Sequence, residues 1–324
     1  MPEGTRLGNF RIIRRIASGG FAIVYLAQDQ RSGEEVAIKE YVPAMLTQRH
    51  TGDLIPFVAP ENRQYFDIGM ARFLEEARTL NTIDHINIVR VKDVLHAHGT
   101  AYMVMRFVEG RPLQEHIRQG RDPDRAEVLT ENFIRRVFCE VLDGLREVHN
   151  HRVLHLDLKP GNIYLQMNGT PIILDFGAAR ETLERDISKI YPMYTPGFAA
   201  PEQYKRDAEV GAWTDVYGVG ACIFTCMTGK AVQEAASRLQ GDTVPGQLNA
   251  LRGVYSKELI NIAQGCLTLN SLERPQSARA LQQLLARGVP KHSKEGLLQG
   301  VTARLRQGQA KVAAFLKKHD VTWF

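Results

Sequence analysis

Apolar and polar positions alternate over Phe10-Arg11-Ile12-Ile13-Arg14-Arg15-Ile16, stop at Ser18-Gly19-Gly20, and resume over Ala22–Ala27. This period of two, broken by small residues, predicts strand, tight turn, strand. Val36-Ala37-Ile38-Lys39 predicts a third strand, and Thr100–Met105 predicts another further on. Between them, Arg72–Leu80 carries Phe73, Ala77 and Leu80 on one helical face. Glu109-Gly110-Arg111-Pro112 breaks the pattern. From Leu113 the period becomes helical, with a stripe of Phe133, Val137, Val141, Leu145 and Val148. Two apolar runs, at 153–165 and Ile172-Ile173-Leu174, each border a polar loop, and Trp213–Gly220 opens a long apolar helix. A strand-rich first part followed by a helical second part predicts an α+β fold.

Composition narrows this little: 324 residues, 44% hydrophobic and 24% charged, are ordinary for a globular chain. No apolar run approaches the roughly 18–20 residues that span a bilayer. Met1–Arg6 lacks a basic region followed by an apolar core, so no signal peptide is expected. The four cysteines are scattered, which fits a reducing cytoplasm rather than a disulfide frame. Residues 291–324 hold seven Lys/Arg against two Asp/Glu, which equals the whole net charge of +5. The body is therefore neutral, which argues against nucleic-acid binding. His149, His151 and His155 lack a single-face spacing with a fourth ligand, so a metal centre built on them is not expected.

The chemistry concentrates in His155-Leu156-Asp157-Leu158-Lys159-Pro160-Gly161-Asn162 and in Asp175-Phe176-Gly177. A carboxylate, an ammonium and an amide in one loop, with a second carboxylate at a strand end, are what metal-assisted phosphoryl transfer requires. With these motifs in hand, the chain is identified as resembling eukaryotic-type protein kinases, in a form similar to bacterial Ser/Thr kinases. Further motifs follow in family order: Gly19 within the turn, Val36-Ala37-Ile38-Lys39, His85-Ile86-Asn87-Ile88-Val89, Ala200-Pro201-Glu202, Asp215 and Glu273-Arg274-Pro275.

The resemblance implies a bilobal fold over 6–288, with a small β-rich lobe (6–108) carrying helix αC and a helical lobe (109–288). A basic, helical tail would occupy 289–324. It implies that Asp157 orients the substrate hydroxyl, that Lys159 stabilises the γ-phosphate, and that Asn162 and Asp175 hold Mg²⁺ or Mn²⁺. Lys39, fixed by Glu76, would position the phosphates of ATP. Ile16, Ala17, Ser18, Gly19, Gly20, Phe21, Ala22, Val24, Ala37, Met105, Phe107 and Val108 would complete the nucleotide site. Thr195 would dock the substrate, while His155, Glu202, Asp215 and Arg274 would be structural, with Arg274 pairing Glu202. Protein substrates and an opposing protein phosphatase are the implied partners.

Several positions depart from the family pattern. Ala17 and Ala22 stand where glycines are usual, which alters how closely the turn covers the phosphates. Leu156 replaces the arginine that grips a phosphorylated activation segment, so no phosphate switch acting through that residue is expected. Tyr164 takes the place of an aliphatic residue beneath the adenine. Gly161 and Pro112 stand where arginine-directed relatives carry Glu. The interval from Lys39 to Glu76 is longer than usual, and its apolar content predicts a segment packed against αC that biases the Lys39–Glu76 pairing. Residues 294–318 read as a basic amphipathic helix, packed on the body or turned toward a partner or a membrane surface. Two other readings remain: a pseudokinase scaffold, suggested by Ala17, Ala22 and Leu156, and a kinase-like enzyme acting on a small molecule. The absence of G-x-x-x-x-G-K-[ST] excludes a P-loop NTPase.

Overall fold

Alternation along the first strands sends neighbouring side chains to opposite faces of one sheet. The computed structural model describes residues 1–50, 52–119, 129–176, 195–205 and 207–287. Strands β1 (Arg6–Leu7), β2 (Phe10–Ser18), β3 (Ala22–Asp29), β4 (Glu35–Tyr41), β7 (Val91–Ala97) and β8 (Thr100–Arg106) form an antiparallel sheet ordered β1-β2-β3-β4-β8-β7. On β4, Val36 and Ile38 join Tyr25, Tyr102 and Val104 in a small outer core. Ala37 and Tyr41 face the other way, into the main core. Lys39 lies between them in register, so the same periodicity brings its ammonium to the inner face.

Helix α1 (Arg63–Thr82) covers that inner face and buries Phe66, Phe73, Glu76, Ala77 and Leu80. It starts well before the segment 72–80 that the sequence pattern predicts. Its start signal is weak: Asn62 stands at the cap position but makes no side-chain cap, and the first turn holds no acidic residue. The long interval after Lys39 is therefore only partly loop. It contains a hairpin of β5 (Thr47–Gln48) and β6 (Phe57–Val58), buries Leu46 in the main core, and runs into α1. Tyr41, at the start of this interval, packs against α1, with ring centroids 5.2 Å from Phe66 and 5.6 Å from Phe73.

The second part of the chain is built on helices α2 (Leu113–Gln119), α3 (Glu131–Asn150), α4 (Ala212–Thr228), α5 (Ala235–Arg238), α6 (Val244–Asn249), α7 (Lys257–Cys266) and α8 (Ala278–Ala286). Thr130 caps α3 by accepting a hydrogen bond from the Phe133 amide at 3.3 Å. The predicted stripe is buried from Val137 to Val148. Strands β9 (Gly110–Pro112), β10 (Ile163–Gln166) and β11 (Pro171–Ile173) make a small sheet that carries the polar loops. Helix α4 is buried on every side from Thr214 to Met227, as a helix at the centre of a lobe must be. Glycine is required there: a Cβ on Gly220 would lie 2.4 Å from Cβ of Cys266. The tail 289–324 lies outside the described residues.

Glu202, in the turn Pro201–Tyr204, meets Arg274 in a bidentate pair at 2.7 and 3.0 Å. Arg274 also donates to the carbonyls of Thr268, Trp213 and Leu269 and lies 4.9 Å from the Tyr217 ring. Its side chain is fully buried, so truncation would leave the Glu202 carboxylate without its counter-charge in the interior. Arg274→Ala is expected to lower stability by roughly 3–5 kcal/mol, read as a shift of the urea midpoint. An unchanged midpoint would contradict this account.

Candidate active site

The polar loop lies between α3 and β10, and its backbone is tethered before any side chain is. Leu156 adopts φ +62°, a left-handed conformation that a bulky residue seldom takes. Two tethers over-determine it. The carboxylate of Asp215, on the first turn of α4, accepts from the His155 amide at 2.9 Å and the Leu156 amide at 2.8 Å. Gln203 donates to the Leu156 carbonyl at 2.9 Å. Asp215 also meets the His149 ring at 2.8 Å. Burial works to raise the Asp215 pKa, yet His149 and the backbone donors outweigh it and hold the carboxyl below its usual range.

The His155 ring is buried against Phe176, with centroids 4.6 Å apart. Its Nε2 lies 2.9 Å from the Leu174 carbonyl, and its Nδ1 accepts from the Asp157 amide at 3.3 Å. Only the neutral ring, protonated at Nε2, satisfies both contacts. Burial accordingly pushes the His155 pKa down, against the opposing pull of Asp215 and Leu174.

Beyond this frame the polar side chains converge. Lys159 donates to Asp157 Oδ2 at 2.6 Å, and the Thr195 hydroxyl donates to Asp157 Oδ1 at 2.8 Å. Lys159 also reaches Thr195 Oγ1 at 3.3 Å. The Asn162 amide nitrogen donates to the Asp157 carbonyl, to Asp157 Oδ2 and to the Asp175 carbonyl, which turns its oxygen the other way. Asp175 follows β11 at φ +51° and forms an ion pair with Lys39 at 3.2 Å. Burial disfavours charge on Lys39, but Asp175 first, then Glu76 and Asp157, outweigh it and keep the lysine pKa raised. An amide oxygen and a carboxylate beside one cleft form a hard-oxygen donor set that suits Mg²⁺ or Mn²⁺.

These groups share a cleft of about 310 Å³. Ala17, Ser18, Gly19, Gly20, Phe21, Ala22, Val24, Lys39, Glu76, Asp157, Lys159, Asn162 and Asp175 all line it. Ile16, Ala37, Met105, Phe107 and Val108 do not. Ala37 and Met105 face each other across β4 and β8, both buried, while Phe107 and Val108 are half-buried just past β8. Ile16 is half-buried on β2. The sequence reading assigns these five to the nucleotide site as a whole, whereas this cleft runs from the turn to the polar loop. Sequence reasoning missed Tyr41 and Phe73 as lining residues. Their spacing carried the signal, because Tyr41 is two residues past Lys39 and Phe73 is one helical turn before Glu76. It also missed His149 and Gln203 as supports for the loop, for which no local pattern exists.

A sequence profile described as "Protein kinase domain" matches residues 10–285. The serine/threonine-protein kinase pkn2 of Myxococcus xanthus is 29% identical over 301 residues, covering 86% of this chain and 32% of that protein. PrkC of Bacillus subtilis, a serine/threonine-protein kinase, is 28% identical over 252 residues, covering 75% of this chain and 35% of its own. Among solved structures, one titled "PpkA-294 apo form" superposes with a TM-score of 0.77 at 32% identity, covering 88% of this chain and 99% of that one. The chain spans less than half the length of the curated relatives it matches.

The lowered His155 pKa has a consequence for stability. The unfolded chain takes up a proton near pH 6.5 that the folded chain refuses. Stability from this residue is therefore complete above about pH 6.5 and is lost as pH falls below it. Urea midpoints should drop as pH falls below about 6.5, and less steeply in His155→Gln. Equal slopes in the two proteins would contradict the assignment.

Proposed function

This chain belongs to the protein kinase family, and from that premise we propose that it transfers the γ-phosphate of Mg·ATP to Ser or Thr hydroxyls of proteins, itself included. The observation that carries the reading is the Lys39–Asp175 pair at 3.2 Å, with Asp157, Lys159 and Asn162 lining the same cleft. Side chains far apart in sequence meet where a magnesium-bound triphosphate would lie.

In this reading Lys39, held by Asp175 and Glu76, receives the α- and β-phosphates. Asn162 and Asp175 would hold the divalent ion, Mg²⁺ or Mn²⁺, which would supply positive charge against the phosphate oxygens. Asp157 accepts the hydroxyl proton of the incoming Ser or Thr and aims its oxygen. Lys159 lies against Asp157 and stabilises charge as the phosphoryl group moves. Thr195, bonded to Asp157, places the substrate backbone beside it. The backbone of 106–108 reads adenine, with Ile16, Ala37 and Met105 packing on the ring. No covalent intermediate is needed, because positioning and fixed charge supply the acceleration.

The domain would run over 6–288, with lobes 6–108 and 109–288. Among the described residues no helix is long and apolar enough to cross a membrane. A cytoplasmic site, an opposing phosphatase and contact of the basic tail with a partner or membrane surface complete the proposal. Nucleic acid is not an expected partner. With leucine at 156, the loop has no arginine to grip a phosphate, so the enzyme works without a switch through that residue. Within the activation segment expected over 178–202, Thr182, Ser188 and Tyr191 are hydroxyl positions open to modification besides Thr195, and they lie outside the described residues. The scaffold reading draws on Ala17, Ala22 and Leu156, but Lys39, Asp157, Asn162 and Asp175 support turnover. The small-molecule alternative is disfavoured by the Thr195–Glu202 docking segment.

ATP turnover with a generic protein substrate should fall about 10²–10⁴-fold in Asp157→Ala. Phosphatase treatment of the wild type should leave its rate intact. Equal turnover by wild type and Asp157→Ala would sink the reading. A strong activation by autophosphorylation, lost on changing a single site, would refute the absence of a switch.

A further inference from the structure

We propose that segment 42–62 is a preset clamp on the nucleotide cleft, with Glu40 and Arg49 as positioning residues for Lys39 and for the turn above it. The proposal rests on the kinase reading of that cleft. Glu40 follows Lys39 on β4 and is fully buried on the opposite face of the sheet. Its carboxylate accepts from Arg49 at 2.7 and 2.8 Å, from the Tyr25 hydroxyl at 3.0 Å and from the Tyr102 hydroxyl at 2.8 Å. Arg49 comes from the inserted segment, and it also donates to the Leu54 carbonyl at 3.0 Å, which closes the segment on itself.

The same segment grips two other parts of the site. The Val42 amide donates to the Phe21 carbonyl at 2.9 Å, and the Ala44 amide donates to the Gly20 carbonyl at 2.8 Å. The turn that covers the cleft is thus tied from behind to the chain leaving β4. At its far end the segment runs straight into α1, where Phe66 stacks on Tyr41. One stretch of chain therefore straddles the end of the sheet. It holds Lys39 from the outer face, the turn along the edge, and the Glu76 helix from the inner face.

A bidentate guanidinium–carboxylate pair in the interior has one favoured geometry, so the segment cannot slide without leaving Glu40 buried and under-bonded. Glu40 and Lys39 are adjacent on one strand, so what fixes one fixes the other. The clamp assembles the phosphate end of the cleft from within the small lobe. It does so in a chain whose loop carries Leu156 where a phosphate-gripping arginine would otherwise order the site. It also steadies a turn that has alanine at 17 and 22.

The test uses the full chain. Binding of magnesium with the non-hydrolysable analogue AMP-PNP is measured by calorimetry, and amide exchange is followed by mass spectrometry. The proteins are wild type, Arg49→Lys, and Glu40→Gln combined with Arg49→Met, which removes both charges if the single variant folds poorly. We expect binding to weaken about tenfold, the scale of one charge-assisted hydrogen bond. Exchange should quicken over 18–22 and 63–82 and stay unchanged over 131–150 and 212–228. Wild-type binding and exchange in both variants, or exchange quickening equally everywhere, would overturn the clamp. If the wild type itself binds no nucleotide, the kinase reading fails, and the exchange pattern alone then decides whether the clamp exists.

Discussion

The structure depends on one buried carboxylate. Asp215 accepts two consecutive amides of the polar loop and the ring of His149. Without it, Leu156 has little reason to remain at φ +62°, a conformation whose strain is of order 1–3 kcal/mol. The direction of the Asp157 side chain follows from that backbone, and Asn162 and Lys159 are bonded to Asp157 in turn. The geometry of the cleft floor is therefore set from below, by an apolar helix, and not by the polar groups themselves.

The roof is held differently. Lys39 reaches the cleft because the strand alternates, and it stays charged because three carboxylates outweigh its burial. Floor and roof meet at Asp175, whose carboxylate faces Lys39 while its carbonyl lies near the Asn162 amide. A left-handed Asp at the end of β11 is a mild cost, since Asp tolerates that region better than most residues.

Much of this was legible in the sequence because it is periodic or local. The alternation over Phe10–Ile16 and the stripe from Phe133 to Val148 marked elements whose cores the structure contains. The loop groups were legible because Asp157, Lys159 and Asn162 are close neighbours in the chain. Other features were not legible, each for a physical reason. Helix α1 begins without a cap, so its early turns looked like loop. The Glu40–Arg49 pair joins a strand to an irregular segment, where charge gives no periodic signal. His149 finds Asp215 across 66 positions, a distance over which only tertiary structure carries information.

The first turn of α4 has a further consequence. Trp213 offers its carbonyl to Arg274, Thr214 donates its hydroxyl to Glu202, and Asp215 fastens the polar loop. Three consecutive residues thus bind three separate stretches of the chain. Removing the Thr214 hydroxyl or the Asp215 carboxylate would cut two of these ties, while the Trp213 carbonyl stays with any side chain. Either change would enlarge the unfolded fraction that cellular proteases clear, so scarcity of the protein would accompany any misalignment of Asp157.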